Sequence, residues 1–321
     1  MEQKRIAVLT SGGDAPGMNA CIRSIVRHGI YNGFEMVGVV KGYNGLITNE
    51  MIPMNNRSVG NIINRGGTIL RTARCLEFKT EEGQKAALEN IKKNNIYGVV
   101  VIGGDGSFKG CNALTKLGIP AIGIPGTIDN DLAYTDFTLG FDTAVNTVIE
   151  AIAKIRDTMA SHDRVSIIEV MGNKCGDIAL YAGICGGAEY IIVPEHEWSY
   201  EELCRKLEES KVAGKTSSIV VVAEGAAKGA ALAEEIKKNT SMDTRTTVLG
   251  YIQRGGSPSA NDVLLASRFG AHAINLIKQG IGGRCVGIKK NRVFDMDIDE
   301  ACSMKKEFDN ELYNIAEILS R

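Results

Sequence analysis

Short β-rich runs alternate with helical periods along most of this chain, and this alternation constrains the fold more than any other feature. Parallel strands need a long crossover connection, which is usually a helix, so the alternation predicts mostly parallel sheets covered by helices on both faces. The predicted strands are residues 6–10, 35–40, 98–102, 121–124, 165–170, 190–193, 218–223, 246–249 and 285–288. We therefore expect an α/β protein.

The composition is that of an ordinary globular protein and argues against several classes of partner. With 321 residues, 44% of them hydrophobic, the chain can bury a large core and is expected to form two domains. Its 37 Lys and Arg residues balance 38 Asp and Glu residues, so no basic field favours nucleic acid or a membrane surface. We find no signal peptide and no stretch of about 18 apolar residues, and we therefore expect a cytoplasmic protein.

Eight cysteines are scattered along the chain without CxxC spacing or clustered histidines, which argues against a zinc site. We expect all eight to be buried free thiols in a reducing compartment.

Two helices can also be located. The longest helical period covers residues 142–161 and is expected to form a spine between the domains, while Ser199 with Glu202 predicts a capping box ahead of a helix that Gly214 ends.

The run SGGDAPGMN at residues 11–19 follows the first predicted strand and opens a helix near Met18. A strand, a glycine turn and a helix N-terminus together form an anion-binding geometry. A tight turn at Gly12 and Gly13 with no ligand would explain the same residues. The GxGxxG dinucleotide pattern is absent from this run.

The run GGDGS at residues 103–107 lies between an apolar run and a helical stretch predicted at 108–117. Asp105 lies between two glycines, which leave its carboxylate unshielded and the neighbouring amides accessible. That suits magnesium, which takes a few carboxylates together with waters and phosphate oxygens. An Asp-Gly turn without function is the alternative.

The run PGTIDND at residues 125–131 offers a hydroxyl on Thr127 and carboxylates on Asp129 and Asp131. A carboxylate for a metal, a second carboxylate for a proton and bare amides around phosphates are the parts that phosphoryl transfer to an alcohol needs. An Asx-rich turn that caps a helix is the alternative for this run. Phosphoryl transfer is therefore the leading hypothesis.

Several arginines occupy loop-like positions, where the guanidinium fork could bind phosphate with two parallel bonds. A single surface arginine is more often a solvated charge. Glu224 ends a predicted strand and could hold sugar hydroxyls or cap a helix, and no histidine is assigned a role. The loop arginines are Arg71, Arg74, Arg164, Arg245 and Arg254.

Taken together, the runs SGGDAPGMNA, INRGGT with TARC, GGDGS, PGTIDND, EVMG followed by CGD, and GYIQRGGSP resemble bacterial 6-phosphofructokinases in order and spacing over the whole chain. The resemblance implies a kinase that uses ATP and magnesium to phosphorylate the 1-hydroxyl of fructose 6-phosphate. It also implies a homotetramer whose subunits contain two Rossmann-like three-layer domains with mostly parallel sheets. The implied domains are 1–139 with 252–302 for ATP, and 140–251 with 303–321 for fructose 6-phosphate.

The resemblance also implies roles for residues that match the family's motifs. Asp129 would be the base that takes the proton of the sugar hydroxyl, Thr127 and Asp131 would position phosphate and metal-bound water, Gly13 would join them, and Asp105 would hold magnesium. The implied ATP-site residues are Gly13, Tyr43, Arg74, Cys75, Gly104, Asp105, Gly106 and Ser107. The implied fructose 6-phosphate residues are Thr127, Ile128, Asp129, Met171, Gly172, Asn173, Glu224, Tyr251 and Arg254, with Arg164 and Arg245 contributed by a neighbouring subunit.

The sequence departs from the commonest family pattern at several of these positions. Asn173 replaces an arginine and Tyr251 replaces a histidine. At the implied site for an effector such as ADP or phosphoenolpyruvate, Asn56, Asn61 and Ala213 replace two cationic groups and one acidic group. The effector-site residues that match the family are Arg23, Arg27, Arg156, Glu189 and Lys215.

Three other functions compete with this interpretation. Pyrophosphate-dependent relatives typically carry Asp and Lys at the positions of Gly106 and Gly126, so both glycines favour ATP. Kinases of the NAD or diacylglycerol type share a GGDG turn but lack the PGTIDND run. A non-catalytic sugar-phosphate sensor is disfavoured because Asp105, Thr127, Asp129 and Asp131 are all present.

Overall fold

The computed structural model of the chain describes residues 4–159 and 164–320. The described residues form two compact units. Unit 1 comprises Met1–Ile128, Leu132–Asp142 and Arg254–Lys306, and unit 2 comprises Asp129–Asp131, Thr143–Gln253 and Glu307–Arg321. The implied domains place 129–131 in the ATP domain, whereas these three residues group with unit 2. Which ligand each unit binds stays a prediction.

Each unit contains one sheet. In chain order the strands are β1 (Arg5–Thr10), β2 (Glu35–Val39), β3 (Met51–Met54), β4 (Ile96–Gly103), β5 (Ala121–Pro125), β6 (Arg164–Val170), β7 (Tyr190–Ile192), β8 (Ser218–Ala223), β9 (Asp243–Val248), β10 (Arg284–Lys289) and β11 (Arg292–Asp297). Unit 1 has the strand order β11-β10-β5-β4-β1-β2-β3, and unit 2 has the order β7-β8-β6-β9. All described pairings are parallel except β2 with β3 and β10 with β11. The prediction of mostly parallel sheets is confirmed.

The two antiparallel edge strands, β3 and β11, were not predicted, for two different reasons. β11 follows β10 through Lys290 and Asn291, whose φ angles of 49° and 60° form a two-residue hairpin turn. Lys-Asn lacks the glycine that usually marks such a turn. β3 contains Pro53, which argues against a strand within a sheet but is tolerated at an edge. The nine predicted strands are all present, with ends that differ by up to three residues.

Helices connect most of the strands, and one of them begins with the Ser199 cap that the sequence predicts. Ser199 Oγ accepts a hydrogen bond from Glu202 N at 3.2 Å, and Gly214, with a φ of 90°, follows the end of that helix. The longest helical period forms a helix that is described over Phe141–Met159, and residues 160 and 161 lie outside the described residues. The helices are α1 (Met18–Tyr31), α2 (Tyr43–Thr48), α3 (Glu81–Lys93), α4 (Asp105–Lys116), α5 (Phe141–Met159), α6 (Asp177–Gly186), α7 (Tyr200–Val212), α8 (Gly229–Asn239), α9 (Ala260–Lys278), α10 (Ile298–Ser303) and α11 (Asn310–Leu319), with short 3₁₀ turns at Glu77–Lys79 and Gly250–Arg254.

The central strands are buried on both faces, as expected for Val- and Ile-rich parallel strands between layers of helices. β1, β4 and β5 line the core of unit 1, and β6 and β8 line the core of unit 2. Among the residues with described placement, no helix is both long enough and apolar enough to cross a membrane. The cysteine prediction is wrong in part: all eight thiols are free, but Cys185 is exposed and Cys75 and Cys302 are half-buried, because these three lie near the ends of helices or in a loop.

Candidate active site

Three of the predicted loops lie at one edge of the unit 1 sheet, because they follow the neighbouring parallel strands β1, β4 and β5. Ser11 N donates a hydrogen bond to Ile102 O at 2.9 Å, and Gly126 N donates to Gly103 O at 3.0 Å. Gly103 permits this approach, since a Cβ there would lie 2.5 Å from Ser11 O. The structure therefore brings the loops 11–17, 103–107 and 125–128 together.

The helix α4 begins at Asp105, three residues before the predicted start at residue 108. The reason is that Gly104 adopts an extended N-cap conformation and its carbonyl accepts from Ser107 N at 2.9 Å and from Phe108 N at 3.1 Å. Within the GGDGS run, Gly103 thus ends β4, Gly104 is the N-cap and residues 105–107 belong to the first turn of a 12-residue helix. The amides of Asp105 and Gly106 precede these bonds and have no carbonyl partner within the helix, and the helix dipole adds a partial positive charge. This turn can bind phosphate.

Gly106 and Gly126 differ in the space around them. No atom of the described residues lies within 4 Å of the position that a Cβ on Gly106 would take, and this glycine is exposed. A Cβ on Gly126 would lie 2.8 Å from Ile102 Cγ2 and 3.2 Å from Met18 Cε. Gly106 therefore leaves room for a ligand, whereas close packing is enough to explain why residue 126 is a glycine.

Asp105 forms an ion pair within α4 that sequence analysis did not predict. Lys109 Nζ lies 2.7 Å from Asp105 Oδ2, with 46% of the aspartate side chain exposed, and this hydrogen bond raises the pKa of Lys109. The i, i+4 spacing is the signal that could have revealed it. Within residues 4–159 and 164–320, no group of three or more His, Cys, Asp or Glu side chains could hold a metal ion. A single accessible carboxylate still suits magnesium, which keeps waters and takes phosphate oxygens as further ligands.

Tyr43 supports the GGDGS turn from its buried side. Its hydroxyl donates to Ser107 O at 2.6 Å, its ring stacks on Phe78 with centroids 4.3 Å apart, and burial raises the phenol pKa well above its ordinary value. The side chain is only 5% exposed, so it contacts the predicted ATP loop through the backbone. Arg74 is exposed and Cys75 is half-buried in the segment between β3 and the first 3₁₀ turn.

The glycine loop after β1 contacts two other predicted segments of unit 1. Thr72 Oγ1 donates to Gly12 O at 2.7 Å, and Gly12 has a φ of 88° that favours glycine. The guanidinium carbon of Arg254 lies 3.3 Å from the position that a Cβ on Gly13 would take. The structure therefore places the predicted catalytic glycine beside the predicted sugar-phosphate arginine.

Thr127 and Ile128 follow β5 after Gly126. The Cβ of Thr127 lies 3.9 Å from the position of a Cβ on Gly104, and Thr127 O accepts from Thr138 Oγ1 at 2.7 Å. Ile128 is buried, at 2% exposure. No helix begins at this run, because α5 starts at Phe141, so the alternative of an Asx-rich cap is not supported.

Residues 129–131 form a short segment of unit 2. Asp129 is half-buried and Asp131 is exposed. Asn130 lies between them with a φ of 53°, and its Nδ2 donates to Asp177 Oδ2 at 2.8 Å. The two predicted carboxylates therefore flank a residue that a buried hydrogen bond holds in the left-handed region.

The predicted sugar-binding residues of unit 2 lie where β6 and β8 end. Met171 N donates to Gln253 Oε1 at 3.2 Å, and Asn173 N donates to Glu224 Oε1 at 3.1 Å. Gly172 has a φ of 135°, a backbone conformation that favours glycine over other residues. Because α8 begins at Gly229, the alternative that Glu224 caps a helix is not supported.

Arg164 and Arg245 lie near the opposite end of the same sheet. Both contact Asp243, with Arg164 Nε 2.7 Å from its Oδ2 and Arg245 Nε 3.3 Å from its Oδ1. The hydrogen bond from Arg164 lowers the pKa of Asp243. Sequence analysis missed Asp243, although its i, i+2 spacing from Arg245 places both residues on one face of β9. Tyr251 lies beyond β9 and is 79% exposed.

Three of the five predicted effector residues lie together in unit 2. Glu189 Oε1 lies 3.9 Å from Arg156 Nη1 and 3.4 Å from Lys215 Nζ, and the glutamate side chain is 8% exposed. Arg156 Nη2 also donates to the carbonyls of Gly186 and Gly187 at 2.7 Å each. The other two, Arg23 and Arg27, are one helical turn apart on α1 in unit 1.

Comparison with known proteins identifies the class to which this fold and these loops belong. A family model described as phosphofructokinase matches residues 5–277. An ATP-dependent 6-phosphofructokinase from Clostridium novyi (strain NT) is 59% identical over 317 residues, covering 99% of this chain and 99% of the relative. ATP-dependent 6-phosphofructokinase 1 from Clostridium perfringens (strain 13 / Type A) is 57% identical over 318 residues, covering 99% of this chain and 100% of the relative.

A solved structure of phosphofructokinase from Saccharomyces cerevisiae matches with a TM-score of 0.89 at 32% identity. The match covers 99% of this chain and 48% of the yeast chain, so this chain spans about half the length of that protein. The chain belongs to the phosphofructokinase family. The fold implied by the resemblance is confirmed.

Proposed function

We propose that this chain transfers the γ-phosphate of ATP to the 1-hydroxyl of fructose 6-phosphate, giving fructose 1,6-bisphosphate and ADP in glycolysis. The full-length similarity to clostridial proteins named ATP-dependent 6-phosphofructokinases supports this function. The observation that carries it is the first turn of α4, where Gly104 caps the helix, Gly106 leaves open space and Asp105 presents an accessible carboxylate. Phosphoryl transfer is catalysed mainly by positioning and by charge, which such a turn can supply.

In this proposal, backbone amides of the loops 11–17 and 104–107 bind the ATP phosphates. Asp105 holds magnesium, which neutralises charge on the transferred phosphoryl group when bound. Arg74 and Cys75 line the nucleotide from their loop, and Tyr43 keeps the α4 turn in place through Ser107. Each of these residues belongs to unit 1.

Asp129 is the proposed general base that takes the proton of the sugar 1-hydroxyl. Cations around the reacting groups keep such a carboxylate ionised near neutral pH. Thr127 and Asp131 orient phosphate and metal-bound water. Fructose 6-phosphate is held by Ile128, Met171, Gly172, Asn173, Glu224, Tyr251 and Arg254.

The positions of Arg164 and Arg245 support sites shared between subunits. Arg164 is the first residue of β6, and Met171 follows its last residue, so about 20 Å of extended strand separate them. A single fructose 6-phosphate is too small to contact both from one chain. We therefore assign the two arginines to the substrate of a neighbouring copy, in a homotetramer.

Regulation by ADP or phosphoenolpyruvate is proposed to be weak. The cluster of Arg156, Glu189 and Lys215 is suited to a charged ligand. Asn56 and Ala213 replace two of the family's cations, and each charge-assisted hydrogen bond contributes about 1.5–3 kcal/mol.

The donor is tested by one coupled assay of fructose 1,6-bisphosphate formation, with ATP and pyrophosphate as alternative donors. We expect turnover with ATP and at least about 100-fold lower kcat/KM with pyrophosphate, because Gly106 leaves space beside the phosphates. Preference for pyrophosphate would contradict the donor assignment. Binding of fructose 6-phosphate without turnover of either donor would indicate a sugar-phosphate sensor.

A further inference from the structure

A buried hydrogen bond joins the segment with the proposed base to the first residue of α6. Asn130 Nδ2 donates to Asp177 Oδ2 at 2.8 Å, and the two residues are 2% and 6% exposed. Both belong to unit 2. Removing one partner of a buried hydrogen bond leaves a desolvated polar group, so the energetic preference for this geometry is strong.

Asp177 is itself held in place from several directions. It lies in the first turn of α6, where the helix dipole favours a carboxylate. The preceding loop is fixed by Cys175 N, which donates to Gly172 O at 2.8 Å, and by Gly176 N, which donates to Glu195 Oε1 at 2.8 Å. The acceptor therefore directly follows a loop that hydrogen bonds hold in place, and this loop contains the proposed sugar-binding residues Met171 and Gly172.

The backbone conformation of Asn130 determines how the neighbouring residues Asp129 and Asp131 are oriented. Its φ of 53° lies in the left-handed region, which Asn tolerates better than most residues but still adopts only where other interactions favour it. Rotation of Asn130 to a negative φ would redirect the adjacent peptide units and the side chains of Asp129 and Asp131. The side-chain amide of Asn130 and the carboxylate of Asp177 are thus placed to fix the direction of both carboxylates.

We infer that Asp177 is a positioning residue, which orients the proposed base Asp129 through the side chain of Asn130. The inference rests on the proposed function. The proposed catalytic roles assign no function to the CGD motif at residues 175–177. In this inference, its aspartate fixes the position of residues 129–131.

Two variants break the bond from opposite sides. Asp177→Leu removes the acceptor, and Asn130→Gly removes the donor while tolerating the positive φ without strain. We expect each to lower kcat about 10- to 100-fold, since small misplacements of reacting groups cost that much, with KM for both substrates changed less than about threefold. The double variant should lose no more than the worse single variant. Asp177→Asn keeps an acceptor oxygen and should stay within about threefold of the wild-type kcat.

Asp262→Leu is the matched control, because Asp262 is also a buried aspartate in the first turn of a helix and accepts from Gly140 N at 2.8 Å. It should lower the melting temperature as Asp177→Leu does while leaving kcat within about threefold of wild type. The inference is overturned if folded Asn130→Gly keeps the wild-type kcat, or if the fold-decreases in kcat of the two single variants multiply in the double variant. It is also overturned if Asp262→Leu lowers kcat as much as Asp177→Leu does.

An inactive wild-type protein would contradict the proposed function and not the positioning role. The crystal structure of Asp177→Leu then decides, with residues 129–131 displaced and Asn130 at a negative φ as the expected result. An unchanged segment with Asn130 at positive φ would overturn the inference.

Discussion

The substitution Gly106→Asp should separate protein stability from ATP affinity, because it acts on the two in opposite directions. Gly106 is the second residue of α4, it is exposed, and a Cβ there meets no atom of the described residues within 4 Å. Replacing a helical glycine gains several tenths of a kcal/mol, and an acidic side chain near a helix N-terminus gains about 0.3–1 kcal/mol. The melting temperature should therefore stay constant or rise by a few degrees.

ATP affinity should fall because the new carboxylate faces the proposed phosphate position. Two unit charges about 4 Å apart repel by about 4 kcal/mol at an effective dielectric constant of about 20, and every 1.4 kcal/mol is about tenfold in affinity. Magnesium and solvent reduce this repulsion, so we expect a rise in the KM for ATP of about 100-fold or more. KM for fructose 6-phosphate should change less than about threefold.

Gly106→Asn is the control that distinguishes charge from bulk, since Asn has nearly the same size as Asp and no charge. Its KM for ATP should rise at most about tenfold. Steady-state kinetics with each substrate varied in turn, together with thermal unfolding, give all the required values. An equal loss of ATP affinity in both variants, or a lower melting temperature for Gly106→Asp, would refute the reasoning from charge and open space.

Three further predictions follow from the proposed site. Asp129→Ala should lower kcat by about 100-fold or more with ATP binding nearly unchanged, and near-normal turnover in a kinetic assay would remove Asp129 from the mechanism. Inactive Asp129→Ala and Arg245→Ala chains, refolded together, should regain part of the activity, because some sites would combine an intact base with an intact neighbouring arginine. Mixed oligomers without recovered activity would mean that each site is built within one chain. The fructose 6-phosphate saturation curve should shift little with millimolar ADP or phosphoenolpyruvate, and a large shift at micromolar effector would contradict the weak effector site.

The central sheet and the motif loops could be predicted because their signals are local. Apolar runs mark buried parallel strands, and glycines mark the turns after β1 and β4. Edge strands carry weaker signals: Pro53 masks β3, and the turn at Lys290 and Asn291 contains no glycine and places a lysine, which rarely adopts a positive φ, at its first position. Their pairing depends on the neighbouring strand and not on their own sequence.

The residues that surround the site were harder to predict, since they come together only in the folded chain. Tyr43 reaches Ser107 across 64 positions, and Asp243 lies 79 positions from Arg164. The position of Asn130 depends likewise on Asp177, 47 positions away. Such contacts leave no periodic signal in the sequence. The early start of α4 is different, because the cap at Gly104 uses its backbone and so carries no side-chain signature.

The crowded surroundings of Gly126 impose an order on any evolutionary change of phosphoryl donor. A lysine at this position would place its Cβ 2.8 Å from Ile102 Cγ2, within the buried end of β4. Overpacking of this kind costs about 1–3 kcal/mol, a large part of the stability of many domains. A path that relieves the clash would begin with the loss of Cγ2, as in Ile102→Ala at about 2–5 kcal/mol, and only then admit the larger residue. Ile102, which has no role in the chemistry, thereby makes a change from ATP to pyrophosphate harder to reach by single substitutions.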